Sequence, residues 1–381
     1  MRTRGAVAGA SRVLIVSGSV GAGHDGAAYE LAARLERAGV EVAVRDFLDA
    51  VPRPVARVLR EGYVMAIERM PLAFEVLFRG LERRGVLWGA EQLVCSRAAR
   101  TVAGWVDEFG PDLVVSTYPP ASQTIGALRA DGTRPGPAYS YLTDPAVHIS
   151  WLHPAVDRHL TVTAATANHG AAAYGVTFDV AGPLVPARFS QRLPAAERAA
   201  LRRELSARAD RPLAVLVGGS LGLGDVRTTV DDVVAAGVDA VVLCGRNETL
   251  RRSLARPGVV ALGWRDDVHR LLQAADVLVQ NAGGLSFTES MVAGLPAVTY
   301  RPIPGHGRAN AAVLDDAGLA PWARDRAELA HHLHAQVARG RIERVFDDPA
   351  DLLIGRPARV PVDGVLADGV LVDGVLAEAA A

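Results

Sequence analysis

The chain contains no lysine, since all 41 of its lysine and arginine positions are arginine. This absence excludes Schiff-base chemistry on a lysine amine. Only two cysteines, Cys95 and Cys244, occur in 381 residues, which excludes a disulfide framework and a cysteine-based metal site. The formal net charge is −1, so bulk electrostatics give no reason to expect nucleic acid as a partner.

Long apolar runs and metal-ligand patterns are also missing. No uninterrupted apolar stretch is long enough to span a bilayer, and Arg12 interrupts the apolar run that a signal peptide would need. No Asp-x-Asp pair occurs, and four nearby polar residues lack a convincing metal-ligand spacing: His148, His153, Asp157 and His159. We therefore expect a cytoplasmic protein that uses no metal and no cofactor.

Apolar strands alternate with helical periods along the chain, and this pattern predicts two doubly wound α/β units. In the first unit, strands are predicted near residues 13–17, 41–46, 112–117, 138–143 and 159–163. In the second unit, they are predicted near residues 213–217, 240–244, 259–262, 276–280 and 297–300. A chain of this length is expected to form two cores of roughly 150 to 200 residues each.

The predicted domain boundaries follow from this alternation. The N-terminal domain spans 11–184 and carries a helical insertion at 52–101, and the C-terminal domain spans 210–350. A linker at 185–209 includes a charged helix predicted over 195–208. In residues 355–381, Asp-Gly-Val-Leu recurs three times at five-residue intervals. Three short repeats cannot form a core alone, so we expect either a poorly ordered tail or a strand that depends on a partner.

The most informative segment is residues 281–296, where a glycine-rich turn joins a predicted strand to a helix. Gly283 and Gly284 follow the strand, and Glu289 lies about one turn into the helix. Backbone N–H groups at a helix start favour a pyrophosphate, and a carboxylate there could accept both hydroxyls of a ribose. The alternative is an ordinary turn in which the glycines only bend the chain and Glu289 complements the helix dipole.

Two further strand–glycine–helix segments occur at residues 18–24 and 218–224. Neither these two segments nor the turn at 281–296 has the G-x-x-x-x-G-K-[ST] form. None of the three is a clean G-x-G-x-x-G followed by an acid at the end of the next strand. Phosphate-loop hydrolases and dinucleotide dehydrogenases are therefore disfavoured. Three such turns in one chain nevertheless favour a nucleotide ligand.

The motifs of both halves resemble GT-B glycosyltransferases of family 28. In the second half they are Gly263-Trp264-Arg265-Asp266-Asp267-Val268, Leu271, Ala275-Asp276, NAGG, Glu289, Gly294-Leu295-Pro296 and Pro304-Gly305. In the first half, GSVGAGH, STYPP and TDPAVHISWLHPAVDRHLTVT are similar to the branch of monogalactosyldiacylglycerol synthases and diacylglycerol glucosyltransferases. The resemblance covers residues 11–335 and implies two Rossmann-like doubly wound domains facing a central cleft.

The resemblance implies a UDP-sugar as co-substrate. It assigns the ribose hydroxyls to Glu289, and Trp264 and Arg265 match the position that contacts uracil. A tryptophan after a strand is also compatible with core packing. The pyrophosphate would be held by N–H groups or side chains of Gly219, Ser220, Gly283, Gly284, Leu285 and Ser286.

One segment departs from the family pattern. Related lipid galactosyltransferases carry an acid–amide pair just after their Pro-Gly, and that pair grips the sugar hydroxyls. Here Pro304-Gly305 is followed by His306, Gly307 and Arg308, which supply no carboxylate. His306 remains a candidate donor-binding residue, but the transferred sugar stays open. Asn310 matches the family pattern without an assigned role.

Family 28 enzymes invert the anomeric centre, so the acceptor hydroxyl needs a base. His24, at the tip of the first glycine segment, is the candidate base, and Asp144, which follows a predicted strand, is the second catalytic candidate. A histidine at a helix start could instead only pack locally, and Asp144 could cap the next turn.

The acceptor-binding residues are predicted to lie in the first half: Gly21, Gly23, Phe74, Phe78 and Trp151. The insertion at 52–101 carries a local charge of +4 and apolar side chains near helical spacing. Such helices fit peripheral binding to an anionic membrane at the inner face of the cell membrane. Surface helices whose apolar face lies in the core would give the same periodicity.

Three functions are compatible with these features. The first is a transferase that moves a hexose from a UDP-sugar to a lipid hydroxyl such as that of diacylglycerol, forming a β-glycolipid. The second is a related transferase for a polyprenyl or natural-product acceptor. The third is a non-catalytic sensor of nucleotide sugars.

Overall fold

The computed structural model describes residues 9–69, 71–82, 84–133, 136–205, 208, 210–219, 222–254 and 256–356. Most of the predicted tail at 355–381 lies outside these residues. The described chain divides into two compact units. The first takes the chain up to Leu184, Pro304–His306 and the segment that begins at Asp347, and the second takes Val185–Ile303 and Gly307–Phe346.

The first unit is built on a six-stranded parallel sheet in the order β2-β1-β3-β4-β5-β6. Its strands are β1 Arg12–Ser17, β2 Glu41–Asp46, β3 Leu113–Ser116, β4 Ala138–Tyr141, β5 Arg158–Thr161 and β6 Asp179–Val180. Its helices are α1 Ala22–Arg37, α2 Arg53–Arg69, α3 Pro71–Glu82, α4 Val86–Phe109, α5 Pro119–Ala130, α6 Ala164–Tyr174 and α14 Pro349–Leu353.

The second unit repeats this plan, with a six-stranded parallel sheet in the order β12-β11-β10-β7-β8-β9. Its strands are β7 Leu213–Val217, β8 Asp239–Leu243, β9 Val259–Leu262, β10 Val277–Gln280, β11 Ala297–Tyr300 and β12 Trp322–Ala323. Its helices are α7 Ala195–Glu204, α8 Val226–Ala235, α9 Glu248–Leu254, α10 Val268–Ala274, α11 Leu285–Val292, α12 His306–Asp316 and α13 Arg326–Arg339.

The central strand β1 shows why these strands read as continuous apolar runs. Val13 and Ile15 pack in a cluster with residues of α1, whereas Leu14 and Val16 pack on the opposite face with residues of α4 and α5. A parallel sheet covered by helices on both faces has no polar side, so the usual alternation of polar and apolar residues is lost. The predicted α/β fold with two doubly wound units is confirmed.

The charged helix predicted over 195–208 is wrong at its end, because α7 stops at Glu204. Arg208 leaves the helix to bind Asp239: its backbone N–H lies 2.8 Å and its Nε 3.0 Å from the carboxylate oxygens. Asp239 is 2% exposed, so its charge needs a partner. This tertiary pairing overrides the local helical preference of the segment.

The order of the strands decides where a ligand can bind. In each sheet the chain reverses its direction of winding beside the first strand, next to β1 in the first unit and next to β7 in the second. The turns that follow such neighbouring strands diverge and leave a crevice at their carboxyl ends. In the first unit these turns follow β1, β3 and β4, and in the second they follow β7, β10 and β11.

Candidate active site

The first glycine segment joins β1 to α1 and is fastened by carboxylates. Asp25 accepts hydrogen bonds from the hydroxyls of Ser17 at 2.6 Å and Ser19 at 2.8 Å. The backbone N–H of Ser19 also donates to Asp46 at 3.2 Å. A Cβ on Gly18 would lie 2.5 Å from ring atoms of Tyr118, so only glycine lets that ring approach. The turn is therefore held in one conformation from several sides.

His24 is the third residue of α1, and its ring is held by the turn after β3. Its Nδ1 lies 2.7 Å from the carbonyl oxygen of Thr117 and 3.1 Å from Oγ1 of Thr143. A carbonyl oxygen can only accept, so Nδ1 carries the proton and the lone pair of the neutral ring lies on Nε2. That tautomer is the one a general base requires at Nε2.

The surroundings of His24 keep the ring neutral. Burial lowers its pKa, and the carboxylate of Asp144, the Thr117 carbonyl and Asp25 oppose this lowering without reversing it. Asp144 is half-buried just beyond β4. The structure thus brings the two predicted catalytic residues together, with a neutral base beside a carboxylate that can stabilise the imidazolium.

Trp151 lies in the first unit, as predicted, but its side chain is buried. Its side chain is 1% exposed and packs with Leu142, Val147 and Leu152 inside the first unit. A buried ring presents no surface to an acceptor, so direct acceptor binding by Trp151 is corrected to a packing position. Its ring centroid lies 5.9 Å from that of His24, where it supports the imidazole.

The other acceptor candidates are placed differently. Gly21 immediately precedes α1 with open space around it, since a Cβ there would meet no atom within 4 Å. Gly23 lies in the first turn of α1. Phe78 on α3 stacks near His148, with 4.4 Å between ring centroids. The side chain of Phe74 lies outside the described part of the structure.

Ser150, His148 and Glu91, which were not predicted to be site residues, connect this region to α3 and α4. The hydroxyl of Ser150 donates to Glu91 at 2.8 Å, and the backbone N–H of Ser150 donates to Nδ1 of His148 at 3.2 Å. Because Nδ1 accepts, Nε2 carries the proton and reaches the carbonyl oxygen of Phe78 at 3.3 Å. Burial raises the pKa of Glu91 to about 7.

His306 packs with the first unit although most of its neighbours in sequence belong to the second. Burial lowers its pKa, Asp144 opposes this, and His24 and His148 lower it further. His306 is therefore a close neighbour of the two catalytic candidates. The sequence assigned His306 to donor binding, which stays a prediction. In the structure its polar neighbours are Asp144, His24 and His148.

The glycine turn of the second unit is shaped by a neutral amide. Oε1 of Gln280 accepts from the backbone N–H of Ala282 at 3.1 Å and from that of Gly283. Gly283 has a positive φ of 78°, and a Cβ there would lie 2.7 Å from the Cβ of Asn310. The amide of Asn310 also donates to the Ala282 carbonyl at 2.8 Å, which gives Asn310 a structural function in this turn.

This geometry corrects one of the predicted pyrophosphate donors. The N–H of Gly283 is already bound to Gln280, so it is not directed at a ligand. Gly284 precedes α11, and Leu285 and Ser286 are its first two residues. Their N–H groups have no partner within the helix, as in the first turn of any α-helix. The N–H groups of this turn that could bind a pyrophosphate are therefore those at the start of α11.

Glu289 lies one turn into α11 and is half-buried. Burial raises its pKa to about 8, and the positive charge of Arg188 opposes that rise. A carboxyl group with this pKa is largely protonated near neutrality. Hydroxyl groups that donate hydrogen bonds to its ionised form would lower its pKa.

The remaining donor candidates lie after β7 and β9. Gly219 has a positive φ of 72° and open space beside it, and Ser220 lies outside the described residues. Trp264 is 51% exposed with Arg246 stacked 5.0 Å from its ring centroid, so core packing does not explain it. Arg265 binds the neighbouring Asp267 with Nε at 2.7 Å from Oδ1.

Two features are absent from the part of the chain that the structure describes. No group of three or more His, Cys, Asp and Glu side chains there is arranged to hold a metal ion. Within the same residues, no helix combines the length and the apolar character needed to cross a bilayer.

Comparison with known proteins supplies the family context. Residues 24–178, which include His24, Thr117 and Asp144, match the family model of monogalactosyldiacylglycerol (MGDG) synthase. The chain is 22% identical to the processive diacylglycerol beta-glucosyltransferase of Bacillus subtilis over 369 residues, covering 93% of this chain and 94% of that protein. It is 23% identical to the enzyme of the same name from Bacillus mycoides, covering 84% and 83%.

Solved glycosyltransferases share the fold. A Streptomyces sp. SF2575 glycosyltransferase, solved with thymidine diphosphate, superimposes with a TM-score of 0.52 at 17% identity, covering 90% of this chain and 98% of that one. MurG of Acinetobacter baumannii gives a TM-score of 0.50 at 16% identity, with 87% and 95% covered. The chain is thus a glycosyltransferase with the GT-B fold, and its residues 24–178 match the monogalactosyldiacylglycerol synthase family model.

Proposed function

We propose that this protein transfers a hexose from a UDP-sugar to the hydroxyl of a lipid such as diacylglycerol, with inversion, to form a β-glycolipid. One observation carries the proposal. His24 lies within the segment that matches the monogalactosyldiacylglycerol synthase family. Its ring carries the proton on Nδ1, which leaves the lone pair on Nε2 to accept a proton. The names of the Bacillus relatives, which the chain matches over most of its length, support the lipid acceptor.

In the proposed reaction, Nε2 of His24 takes the proton of the acceptor hydroxyl. The acceptor oxygen forms a bond to the anomeric carbon from the face opposite UDP, and the bond from that carbon to the diphosphate oxygen breaks. The electron pair leaves with UDP, and inversion gives the β-glycoside. Asp144 stabilises the imidazolium that forms on His24, since its carboxylate already raises the pKa of that ring.

The donor is assigned to the second unit. The N–H groups of Gly284, Leu285 and Ser286 at the start of α11 bind the diphosphate, where the helix dipole favours the charge of the leaving group. Glu289 accepts the ribose hydroxyls, and the exposed Trp264 provides a face for the base. With these groups in place we propose that no metal or other cofactor takes part.

The acceptor lipid is assigned to a membrane surface that the helices of the insertion contact. Several apolar side chains of α2, α3 and α4 are exposed: Val58 at 68%, Val76 at 70%, Val86 at 90% and Leu93 at 56%. Exposed arginines such as Arg57 and Arg97 lie on the same helices. Apolar side chains flanked by cations suit the interface of an anionic leaflet, so we place the protein peripherally on the inner face of the cell membrane.

The test is release of UDP by the purified protein from a panel of UDP-sugars, with and without diacylglycerol in mixed micelles. We expect release that depends on the lipid and identifies the sugar. His24→Ala should lower kcat by about 100-fold or more, because general base catalysis contributes on that scale. Its affinity for UDP should stay within about twofold of the wild type, because the donor residues are unchanged.

His334→Ala is the matched control, since His334 lies on α13 and its ring binds only the Ala236 carbonyl, at 3.0 Å, among the contacts described. Equal turnover by His24→Ala and His334→Ala would refute the base assignment. UDP binding without release for every sugar and lipid would instead favour the sensor, and release only with a polyprenyl or aglycone acceptor would favour the second transferase.

A further inference from the structure

Asn281 begins the turn after β10 and contacts the turns after β7 and β11 in the second unit. It follows β10 directly and is 8% exposed. Its Nδ2 donates to the carbonyl oxygen of Leu223 at 2.8 Å, in the glycine turn after β7. Its backbone carbonyl accepts from the N–H of Ile303 at 2.9 Å, in the turn after β11. One residue therefore joins turns that are 58 residues and 22 residues away along the chain.

Glycines next to Asn281 show how closely the turns approach it. A Cβ on Gly224 would lie 2.8 Å from Nδ2 of Asn281, and Gly224 has a positive φ of 89°. A Cβ on Gly307 would lie 2.9 Å from the backbone oxygen of Asn281. Neither position could carry a side chain without moving the asparagine. The spacing of the three turns is therefore set by direct contact with this residue.

The chemistry of an amide suits this position. The Leu223 carbonyl needs a donor, and an aspartate of the same shape could not supply one. A carboxylate would also place a negative charge beside turns that we assign to an anionic diphosphate. A neutral donor fixes the turns without repelling such a ligand. Gln280, the preceding residue, shapes only its own turn and the neighbouring Thr299, so it does not perform this bridging function.

We propose that Asn281 is a positioning residue for the donor: it holds the turns after β7, β10 and β11 at the spacing that a nucleoside diphosphate requires. The proposal rests on the UDP-sugar function proposed above, and it adds a residue that touches no part of the reacting centre. Its action is on the affinity for the donor, through the positions of the turns.

The test compares Asn281→Asp with Gln273→Glu. Gln273 is also buried, at 2% exposure, and its amide donates to the Phe189 carbonyl at 2.9 Å, but it lies in α10, before β10 rather than after it. Both variants exchange a bound amide for a carboxylate. The readouts are the dissociation constant of UDP by calorimetry, the KM of donor and acceptor, and the melting temperature.

We expect Asn281→Asp to weaken UDP binding and raise the donor KM by roughly tenfold or more, with the acceptor KM within about twofold. Gln273→Glu should lower the melting temperature at least as much and leave the UDP constant unchanged. Equal UDP affinity in wild type and Asn281→Asp, or equal losses in both variants, would overturn the proposal. If Asn281→Asp does not fold, Asn281→Ser, which is too short to reach Leu223, is judged by the same criteria.

Amide hydrogen exchange separates this proposal from the proposed function. The N–H of Leu223 donates to the Gly218 carbonyl at 2.7 Å and closes the turn after β7. Without nucleotide, that amide should exchange faster in Asn281→Ser than in wild type if Asn281 holds the turn. Unchanged exchange would overturn the positioning function. A wild-type protein that binds no UDP would overturn the donor assignment instead.

Discussion

The carboxyl ends of the two sheets are built from different kinds of polar groups. In the first unit, carboxylates surround the turns: Asp25 holds the glycine segment, Asp46 binds Ser19, and Asp144 lies near His24. In the second unit, neutral amides do the corresponding work, with Gln280 shaping its own turn and Asn281 joining the neighbouring ones.

This contrast agrees with the functions that we propose for the two sites. Proton transfer needs a titratable base and a charge that stabilises its protonated form, and His24 beside Asp144 provides both. Binding a diphosphate needs N–H donors, and amides and glycines shape the turns without adding a negative charge of their own. Carboxylates occur in the second unit as well: Asp225, directly after the glycine turn that follows β7, is paired with Arg301 at 3.0 Å, and Glu289 has a pKa raised to about 8, which reduces its charge near neutrality.

Removing the carboxylate beside the base gives the largest expected effect among tests of this contrast. Asp144→Asn should lower kcat/KM by roughly 10- to 100-fold, because the imidazolium loses its stabilising charge. It should also move the acidic limb of the pH profile to lower pH, since Asp144 raises the pKa of His24. Asp25 and His306 also face His24 and remain in the variant.

The measurement is kcat/KM between pH 5 and 9 at saturating donor. A variant that loses activity with an unshifted acidic limb would show that Asp144 does not act on His24. Asp157→Asn is a suitable control, because Asp157 lies after β4 as well but binds Arg129, at 2.8 Å.

The expected effect of pH on UDP binding through Glu289 is intermediate in size. The ribose contact that we propose would favour the ionised form of Glu289, so binding should release a proton from a group whose pKa is raised to about 8. UDP affinity should therefore rise by about tenfold from pH 6.5 to pH 8 and then level off. Calorimetry in buffers of different ionisation enthalpy measures both the affinity and the proton release.

Glu289→Gln should bind UDP more weakly at pH 8 and lose this slope. Glu248→Gln should keep it, because paired arginines hold the pKa of Glu248 at about 2, far below the tested range. If the wild-type affinity is flat between pH 6.5 and 8, Glu289 does not bind the ribose through its carboxylate.

The smallest expected effect concerns the outer surfaces of the two units. Arg57 on α2 should contact an anionic leaflet, whereas Arg339, the last residue of α13, should not. Arg57→Gln should lower the partition constant on vesicles of 30% phosphatidylglycerol by about three- to fivefold, as expected for one cation near the surface. Arg339→Gln should leave it unchanged. Equal losses in sedimentation would mean that binding is not directed by the insertion.

Much of the fold could be predicted from local patterns. The strand β1 was placed within one residue, because an apolar run bounded by glycine reports burial on both faces. The two-residue strands β6 and β12 were missed, since so short a segment has no periodicity. The end of α7 was misplaced because the pairing of Arg208 with Asp239 joins residues 31 positions apart.

In the candidate site, local sequence patterns indicated some residues, whereas others depend on tertiary contacts. His24, Asp144 and Glu289 could be proposed as site residues from the sequence because each follows a strand or lies near the start of a helix within a recognisable motif. No role was predicted for Gln280 or for Asn281, although Asn281 begins the NAGG motif, because nothing in their local sequence indicates which backbone groups their amides meet. Trp151 was assigned to the acceptor because a tryptophan looks the same in a sequence whether it is buried or exposed.

The sequence by itself determined the order of strands, glycine turns and helices, and therefore which residues begin each helix, because these depend on neighbours a few positions away. Only the tertiary structure decided the state of those residues. The carbonyl that sets the tautomer of His24 is 93 residues away, and the one that Asn281 binds is 58 residues away. Parallel pairing brings the carboxyl ends of distant strands together, and the hydrogen bonds between their turns depend on that pairing.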